Sequence, residues 1–451
     1  MKALYIDIDS LRPDHLRSYG YSRETAPNIS RLAQEGVRFE NCYVSDSPCM
    51  ASRASTISGR FGIKNGIVTH GDRGEKMNLD TPTLPLLLRD SGIKTCAIST
   101  FGRHPSPWFY VGWEDFKDPA GWNFQQTPAW RVNELAVDWI EQNKDEDFLL
   151  WVQFWDVHAV YDPPKSCEEA VKDGNYPAYP TSEEIAERQG DDFWHCAPMM
   201  GIHSYEDFKE MIDLYDAEIR YVDHHIGLLL NKLESLGIMD ETLIIVSADH
   251  GEELGEHGVF VEHWSTYDGT SKVPLIMRHP QTLPRGQVRK ELVYQMDMSA
   301  TLLEFFGVGR PLNWDSSSLL SGHARPYLVC GHGLYTAQRA VVTDEWKLIK
   351  TMNPGMWELP EYQLFDRTHD PYERHSLHET RLEVVGKLNV LLTEWEEAHQ
   401  QSDDPMVVNA RLGPPGIELY GQETMSAFRT GRTPMSIVKE HRKPEIHVVS
   451  R

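Results

Sequence analysis

The chain has 451 residues, enough for one large domain with an appendage or for two to three ordinary domains. Apolar residues make up 40% and charged residues 25%, a soluble globular composition that excludes the disordered and fibrous classes. The 44 Lys and Arg against 68 Asp and Glu leave a net charge of −24, which excludes nucleic acid bound through its phosphates. The same charge opposes a small anionic substrate unless a metal ion or a local cationic cluster reverses the potential in one cleft.

The first element is a strand, Lys2–Ile8, and the acidic Asp7 interrupts its apolar run well short of a signal-peptide core. A cytoplasmic protein is therefore expected. The longest apolar run, Phe148–Trp155, is too short to span a bilayer, so no membrane partner is expected. The six cysteines (42, 49, 96, 167, 196 and 330) are scattered through a long chain, which favours reduced thiols.

Along the chain, helical patterns at Asn28–Glu35, Thr83–Asp90, Arg131–Asn143 and Tyr205–Leu236 alternate with buried strands at Lys94–Ser99, Phe148–Trp155, Thr242–Ala248 and Val273–Arg278. This alternation predicts an α/β fold, a mostly parallel central sheet covered by helices on both faces, for residues 1–325. From Tyr327 the pattern changes to short strands (Tyr327–Gly331, Arg339–Val342, Trp346–Lys350) and a helix at Leu382–His399, a smaller α+β subdomain over 326–400. Residues 401–451 read as an extended basic tail. Within it, Met406–Arg451 carries seven Lys and Arg against four Glu. The tail is either a partly ordered extension or an arm that packs on an acidic neighbouring subunit of a homo-oligomer.

In a parallel α/β sheet, ligands collect beyond the carboxyl ends of the strands. There the first strand runs into Asp9, which either caps the next turn or holds a ligand, with Asp7 on the same side. The strand at Thr242–Ala248 runs into Asp249 and His250, an oxygen and a nitrogen donor followed by a Gly-rich acidic loop with His257. That is a metal-site pattern. Pro48 starts a helix with Cys49 at its N-terminus, where free N–H groups and the helix dipole suit an oxyanion and lower a thiol pKa. Arg53 lies one turn on, on the same face.

These segments, with Leu11-Arg12-Pro13-Asp14, Ala26-Pro27-Asn28-Ile29, Cys49-Met50-Ala51-Ser52-Arg53, Asp249-His250-Gly251-Glu252 and Gly255-Glu256-His257-Gly258, follow in order the pattern of the sulfatase family. The chain resembles that family from Lys2 to about Leu377, where Leu364-Phe365-Asp366 and Asp370-Pro371 match its C-terminal portion. The resemblance implies the alkaline phosphatase-like fold. It also implies that Cys49, in Cys-x-Pro/Ala-x-Arg, is oxidised to formylglycine. Ala51 resembles the substrates of the radical-type formylglycine maturase, which becomes an expected partner.

The hydrated aldehyde would offer one hydroxyl to attack sulfur and a second to expel sulfate, with a bound cation activating the nucleophile. By resemblance one divalent metal is held by Asp9, residue 49, Asp249 and His250, and Arg53 holds the formylglycine in place. Ser10 stands where many members have a second Asp, and His250 where many have Asn. Both changes favour Mn²⁺ or Zn²⁺ over Ca²⁺. His158, in Trp155-Asp156-Val157-His158, matches the family's histidine near the substrate, suited to protonating the leaving group or binding sulfate. The family's Lys-x-His has no clean counterpart, with Thr100 and His104 the candidates. Its later Lys falls at Glu262-His263, which leaves His263. His70 is a further candidate substrate contact, and Trp108, Phe109, Trp113, Trp122, Trp130 and Trp194 could stack on a sugar ring.

The expected function is a sulfatase acting on an organic sulfate ester, most simply on a saccharide. Phosphonate monoester hydrolases resemble the same ligand set, so phosphonate monoesters or phosphodiesters are the first alternative. An unmatured protein that only binds sulfated ligands is the second.

Overall fold

The computed structural model describes residues 1–70, 77–101, 104, 106–120, 127–159, 161–172, 174–187, 202, 204–261, 263–322, 324–355, 357–401, 403–416 and 443–446. In chain order the strands are β1 (Lys2–Ile8), β2 (Val37–Tyr43), β3 (Asp46–Ser47), β4 (Lys94–Ile98), β5 (Asp115–Lys117), β6 (Phe148–Phe154), β7 (Thr242–Ser247), β8 (Leu275–Arg278), β9 (Gln287–Tyr294), β10 (Leu328–His332), β11 (Ala337–Val342), β12 (Trp346–Asn353) and β13 (Tyr362–Asp366).

The apolar runs of β1, β6 and β7 leave no face for water, and all three are buried along their whole length. They occupy the middle of an eight-stranded sheet of order β5-β4-β6-β1-β7-β8-β2-β9. β8 is antiparallel to both neighbours and the other pairings are parallel, so the sheet is mostly parallel. The helices lie within two residues of their expected bounds, at Pro27–Glu35, Leu84–Asp90, Ala129–Asn143 and Tyr205–Ser235. The last of these is capped by Ser204, whose hydroxyl accepts from the Asp207 amide at 3.2 Å. Among the described residues no helix is long and apolar enough to cross a membrane.

A second sheet of order β13-β12-β11-β10-β3 is antiparallel except at its last pairing. There β3 joins in parallel, with Gly331 opposite Asp46 and His332 opposite Ser47. The small sheet is thus completed by the two residues that precede Pro48 and Cys49. Its core of Leu328, Val341, Leu348, Leu364 and Leu392 also takes in Tyr43, Phe61 and Tyr294 from earlier in the chain. The helix Leu382–His399 matches its expected bounds. The composition assigned residues from 401 onward to an extended tail; instead Pro405–Leu412 is a helix, capped by the Asp404 carboxylate. Asp404 also takes two charge-assisted bonds from Arg339 of β11, at 2.5 and 2.7 Å.

Candidate active site

Strand register places the first two ligand candidates side by side. β1 and β7 pair in parallel with Asp7 opposite Ser247, so two residues further on Asp9 stands opposite Asp249. The amide of Asp9 donates to the Phe154 carbonyl at 3.0 Å, so the turn beyond β1 is tied to the end of β6 and the loop carrying His158. Ser10 sits in the left-handed region at φ 59°, which costs a non-glycine residue about 1 to 3 kcal/mol at such sites. Tyr215 of the long helix holds it there, donating its hydroxyl to the Ser10 carbonyl at 2.8 Å and accepting from the Arg12 amide at 3.0 Å.

After Asp249 and His250 the chain passes very close to a neighbouring backbone. A Cβ on Gly251 would lie 2.0 Å from the Gly269 carbonyl oxygen, so only glycine fits. The Gly251 carbonyl accepts from His250 Nδ1 at 2.8 Å. A protonated Nδ1 leaves the Nε2 lone pair free, and Nε2 lies 3.0 Å from Cys49 Sγ. Cys49 opens the helix Cys49–Ser58, as its small-residue sequence after Pro48 implied. Donor atoms of Asp9, Cys49, Asp249 and His250 all lie within 4.8 Å of one another, and all four residues are buried.

Arg53, fully buried in the same helix, serves three carboxylates. Nε donates to Asp7 at 2.9 Å and Nη2 to Asp9 at 3.1 Å, while Nη1 lies 2.7 Å from Asp249 Oδ2. One guanidinium against three buried carboxylates leaves a deficit of positive charge. Burial raises the Asp7 carboxyl, and raises Asp249 well above the ordinary range, whereas at Asp9 the charges of Arg53, His158 and His250 outweigh burial and lower it. Asp9, held ionised, and Asp249, pushed toward protonation, beside an imidazole with a free lone pair form a donor set suited to a divalent cation, which takes the place of a proton on Asp249.

The thiol does not follow the helix-terminus expectation. Burial, then the Asp9 and Asp249 carboxylates, push Cys49 well above the ordinary thiol range, and the helix N-terminus with Arg53 does not offset them. As a plain thiol, residue 49 is a poor nucleophile at neutral pH.

Around this cluster the candidate histidines form an arc. His70 meets His104 with ring centroids 5.6 Å apart, and His104 stacks on Trp155 at 6.1 Å. Trp155 lies 5.0 Å from His158, His158 is 5.7 Å from His263, and His263 is 4.1 Å from His250. His158 Nδ1 is fixed on the Ala159 carbonyl at 2.7 Å. Burial lowers His104 and His250 to about 4 and takes His70 and His263 well below the ordinary imidazole range, so all four are neutral at pH 7. Thr100 is buried just beyond β4, and its hydroxyl has no hydrogen-bond partner among the described residues.

The sugar-stacking expectation fails where it can be checked on buried rings. Trp108, Phe109 and Trp113 belong to the core, with Trp113 donating to the Phe109 carbonyl at 2.7 Å and packing edge-on against Trp151. Trp130 is half-buried, while Trp122, Trp194, Glu262 and Cys196 lie outside the described residues. Aromatic rings in contact with the arc are Trp155 and Phe101, the latter 4.9 Å from His104. His332 of β10 was not anticipated either. It accepts from the Tyr335 amide at Nε2 (3.3 Å), and its Nδ1 lies 2.9 Å from the Ser47 hydroxyl, two residues before Cys49. Its only signal is the pairing of β10 with β3, which no local pattern reveals.

Comparison with known proteins agrees with this geometry. The family model for sulfatases matches residues 2–308. Among curated relatives, N-acetylglucosamine-6-O-sulfatase of Bacteroides thetaiotaomicron is 23% identical, covering 89% of this chain and 86% of the relative. An arylsulfatase of Clostridium perfringens is 24% identical, covering 87% and 94%. Among solved structures, an enzyme in complex with its substrate D-glucosamine-2-N,6-O-disulfate superposes with a TM-score of 0.74 at 21% identity, covering 90% of this chain and 99% of that one. The phosphonate monoester hydrolase of Agrobacterium radiobacter has a TM-score of 0.72 at 18% identity, covering 88% and 96%. The family match, spanning well over half of the sequence, and the buried cluster at its strand ends lead to one conclusion: the chain belongs to the sulfatase family of sulfuric ester hydrolases.

Proposed function

We propose that the protein hydrolyses a sulfate ester on a saccharide, with residue 49 as formylglycine and one divalent cation held by Asp9, residue 49, Asp249 and His250. The observation that carries this reading is the convergence of those four side chains within 4.8 Å at the start of the Cys49–Ser58 helix. The saccharide is favoured by the sugar sulfatases among the relatives and structural neighbours. When bound, the cation supplies charge that polarises the sulfate oxygens and eases deprotonation of the nucleophile.

The chain's own residues do the rest. Arg53 engages Asp7, Asp9 and Asp249 together and so fixes the carboxylates that face the nucleophile. His250 turns Nε2 toward residue 49. His158 protonates the leaving alcohol or binds sulfate, and His70, Thr100, His104 and His263 offer neutral donors to the remaining oxygens. Charge arithmetic favours a monoanionic ester. A dication balances the two carboxylates left over by Arg53, and the neutral histidines add no further positive charge, so a dianionic phosphate monoester is poorly matched. A nitrogen ligand and Ser10 in place of a second carboxylate favour Mn²⁺ or Zn²⁺ over Ca²⁺. Ala51 favours maturation by the radical-type enzyme.

Phosphonate monoesters are also monoanions, so rates must separate the two readings. Protein matured under anaerobic conditions is compared on an aryl sulfate and an aryl phosphonate, after chelation and metal add-back. The proposal expects kcat/KM on the sulfate to be higher by at least about tenfold, with activity restored by Mn²⁺ or Zn²⁺. The reverse order assigns the site to phosphonates. Converted protein inactive on both contradicts the enzyme reading.

A further inference from the structure

Two carboxylates outside the cluster are buried beside the loop that carries His158. Asp156 lies two residues beyond β6, and Glu218 is buried on the Tyr205–Ser235 helix. Each holds one end of the loop: Asp156 accepts from the Ala129 amide at 2.7 Å, and Glu218 from the Asp162 amide at 2.7 Å. A pair of buried acids facing each other needs a cation. It comes from the far end of the chain, where Lys443 Nζ lies 2.8 Å from Asp156 Oδ1 and 2.6 Å from both oxygens of Glu218. Among the described residues no other base pairs with either acid. The ammonium also lies 5.2 Å above the Tyr221 ring.

Two residues on, the Glu445 carboxylate accepts from the amides of Lys165 and Ser166, each at 3.2 Å, just beyond the same loop. Ile446 packs against the main core. Lys443 at Asp156 and Glu445 at Lys165 and Ser166 therefore hold the two ends of the segment 156–166. From its composition the basic tail is expected either as a partly ordered extension or as an arm on an acidic neighbouring subunit; here Lys443 finds its acidic partners within its own chain.

We propose that residues 443–446 form an intrachain strap in which Lys443 is a positioning residue for His158. Lys443 ties Asp156 to Glu218 and so fixes the path of the backbone between them. The assignment rests on His158 facing the substrate, as in the proposed function. The strap itself is a statement about structure and is tested separately from catalysis.

The test uses full-length, matured protein as wild type, Lys443→Met and Lys443→Arg. Hydrogen exchange should be at least about tenfold faster in the peptide spanning 156–166 for Lys443→Met, and unchanged in β1 and β7, as expected for a local opening. With an alkyl sulfate, whose poor leaving group needs the proton of His158, kcat should fall about tenfold with KM changed less than about twofold, because a displaced catalytic group costs rate more than binding. Lys443→Arg should recover both readouts to within about threefold, since a guanidinium can also bridge two carboxylates. If Lys443→Met is too unstable to purify, Glu445→Gln supplies the exchange measurement, with a smaller acceleration in the same peptide. Unchanged exchange in 156–166 overturns the strap. Faster exchange with wild-type kcat and KM overturns the positioning of His158. Inactive wild-type protein carrying formylglycine, with the exchange result as expected, faults the sulfatase reading and leaves the strap standing.

Discussion

The cluster at the ends of β1 and β7 and the arc of histidines beside it are built by different means. In the cluster, every donor sits at the end of a strand or the start of a helix. Parallel register then brings Asp9 opposite Asp249, and the Cys49–Ser58 helix delivers Cys49 and Arg53 together. The arc is assembled from His70, His104, Trp155, His158 and His263, which come from four loop segments, and Lys443 of the tail pairs with Asp156 beside it. The cluster is charged and held by one guanidinium; His70, His104 and His263 of the arc are buried and neutral. Chemistry common to a family can be encoded in local grammar, whereas recognition of one substrate depends on long-range contacts.

This contrast predicts a ranking of mutational effects. Cys49→Ala should be the most severe, lowering kcat by at least about 10³-fold while purified protein keeps its fold by circular dichroism, as expected when a nucleophile is removed. Turnover within tenfold of wild type would show that residue 49 is not the nucleophile. Arg53→Lys should come next, with a loss of about 10²-fold and weaker metal retention by elemental analysis, because an ammonium cannot serve three carboxylates with fixed geometry. Equal metal content and activity would break the link between Arg53 and the cluster.

Within the arc, His158→Ala should cost about 10²-fold on an alkyl sulfate and much less on a nitrophenyl sulfate, since a good leaving group needs no proton. Equal losses on both would assign His158 to sulfate binding. The smallest effect concerns His332, which burial and the neighbouring His250 lower to about 3. Its folded value is depressed, so the unfolded chain binds more protons between about pH 6.5 and 3. The stability that neutral His332 contributes is present above pH 6.5 and lost as the pH falls toward 3. In urea titrations from pH 7 to 4, His332→Gln should flatten the acid slope by at most about 1.4 kcal/mol per pH unit. An unchanged slope would remove His332 from the acid response.

The legibility of the sequence follows the same divide. β1, β6 and β7 declare themselves because strands buried on both faces must be continuously apolar. β2 and β9 do not: Val37–Tyr43 mixes polar residues into its run, and Gln287–Tyr294 is an edge strand exposed over its first half. Asp9, Cys49, Arg53, Asp249 and His250 were legible because each stands in a short motif at an element boundary. His158, His104, His70 and His263 could be named only through resemblance. His332 and Lys443 could not be named at all, because their partners Ser47, Asp156 and Glu218 are distant in sequence. The raised thiol of Cys49 was misjudged for a related reason: the helix terminus is a local feature, while burial and the two opposing carboxylates are tertiary ones.

The central claim is that residue 49 acts as formylglycine. The most direct measurement is peptide mass spectrometry of residue 49 in protein co-produced with a radical-type maturase, with aryl sulfatase rates recorded on the same preparations. The expected result is a peptide lighter by about 18 Da, as hydrogen sulfide is lost and a carbonyl oxygen gained, in a fraction that rises in proportion to activity. Full activity from protein whose residue 49 is an unmodified thiol would contradict it.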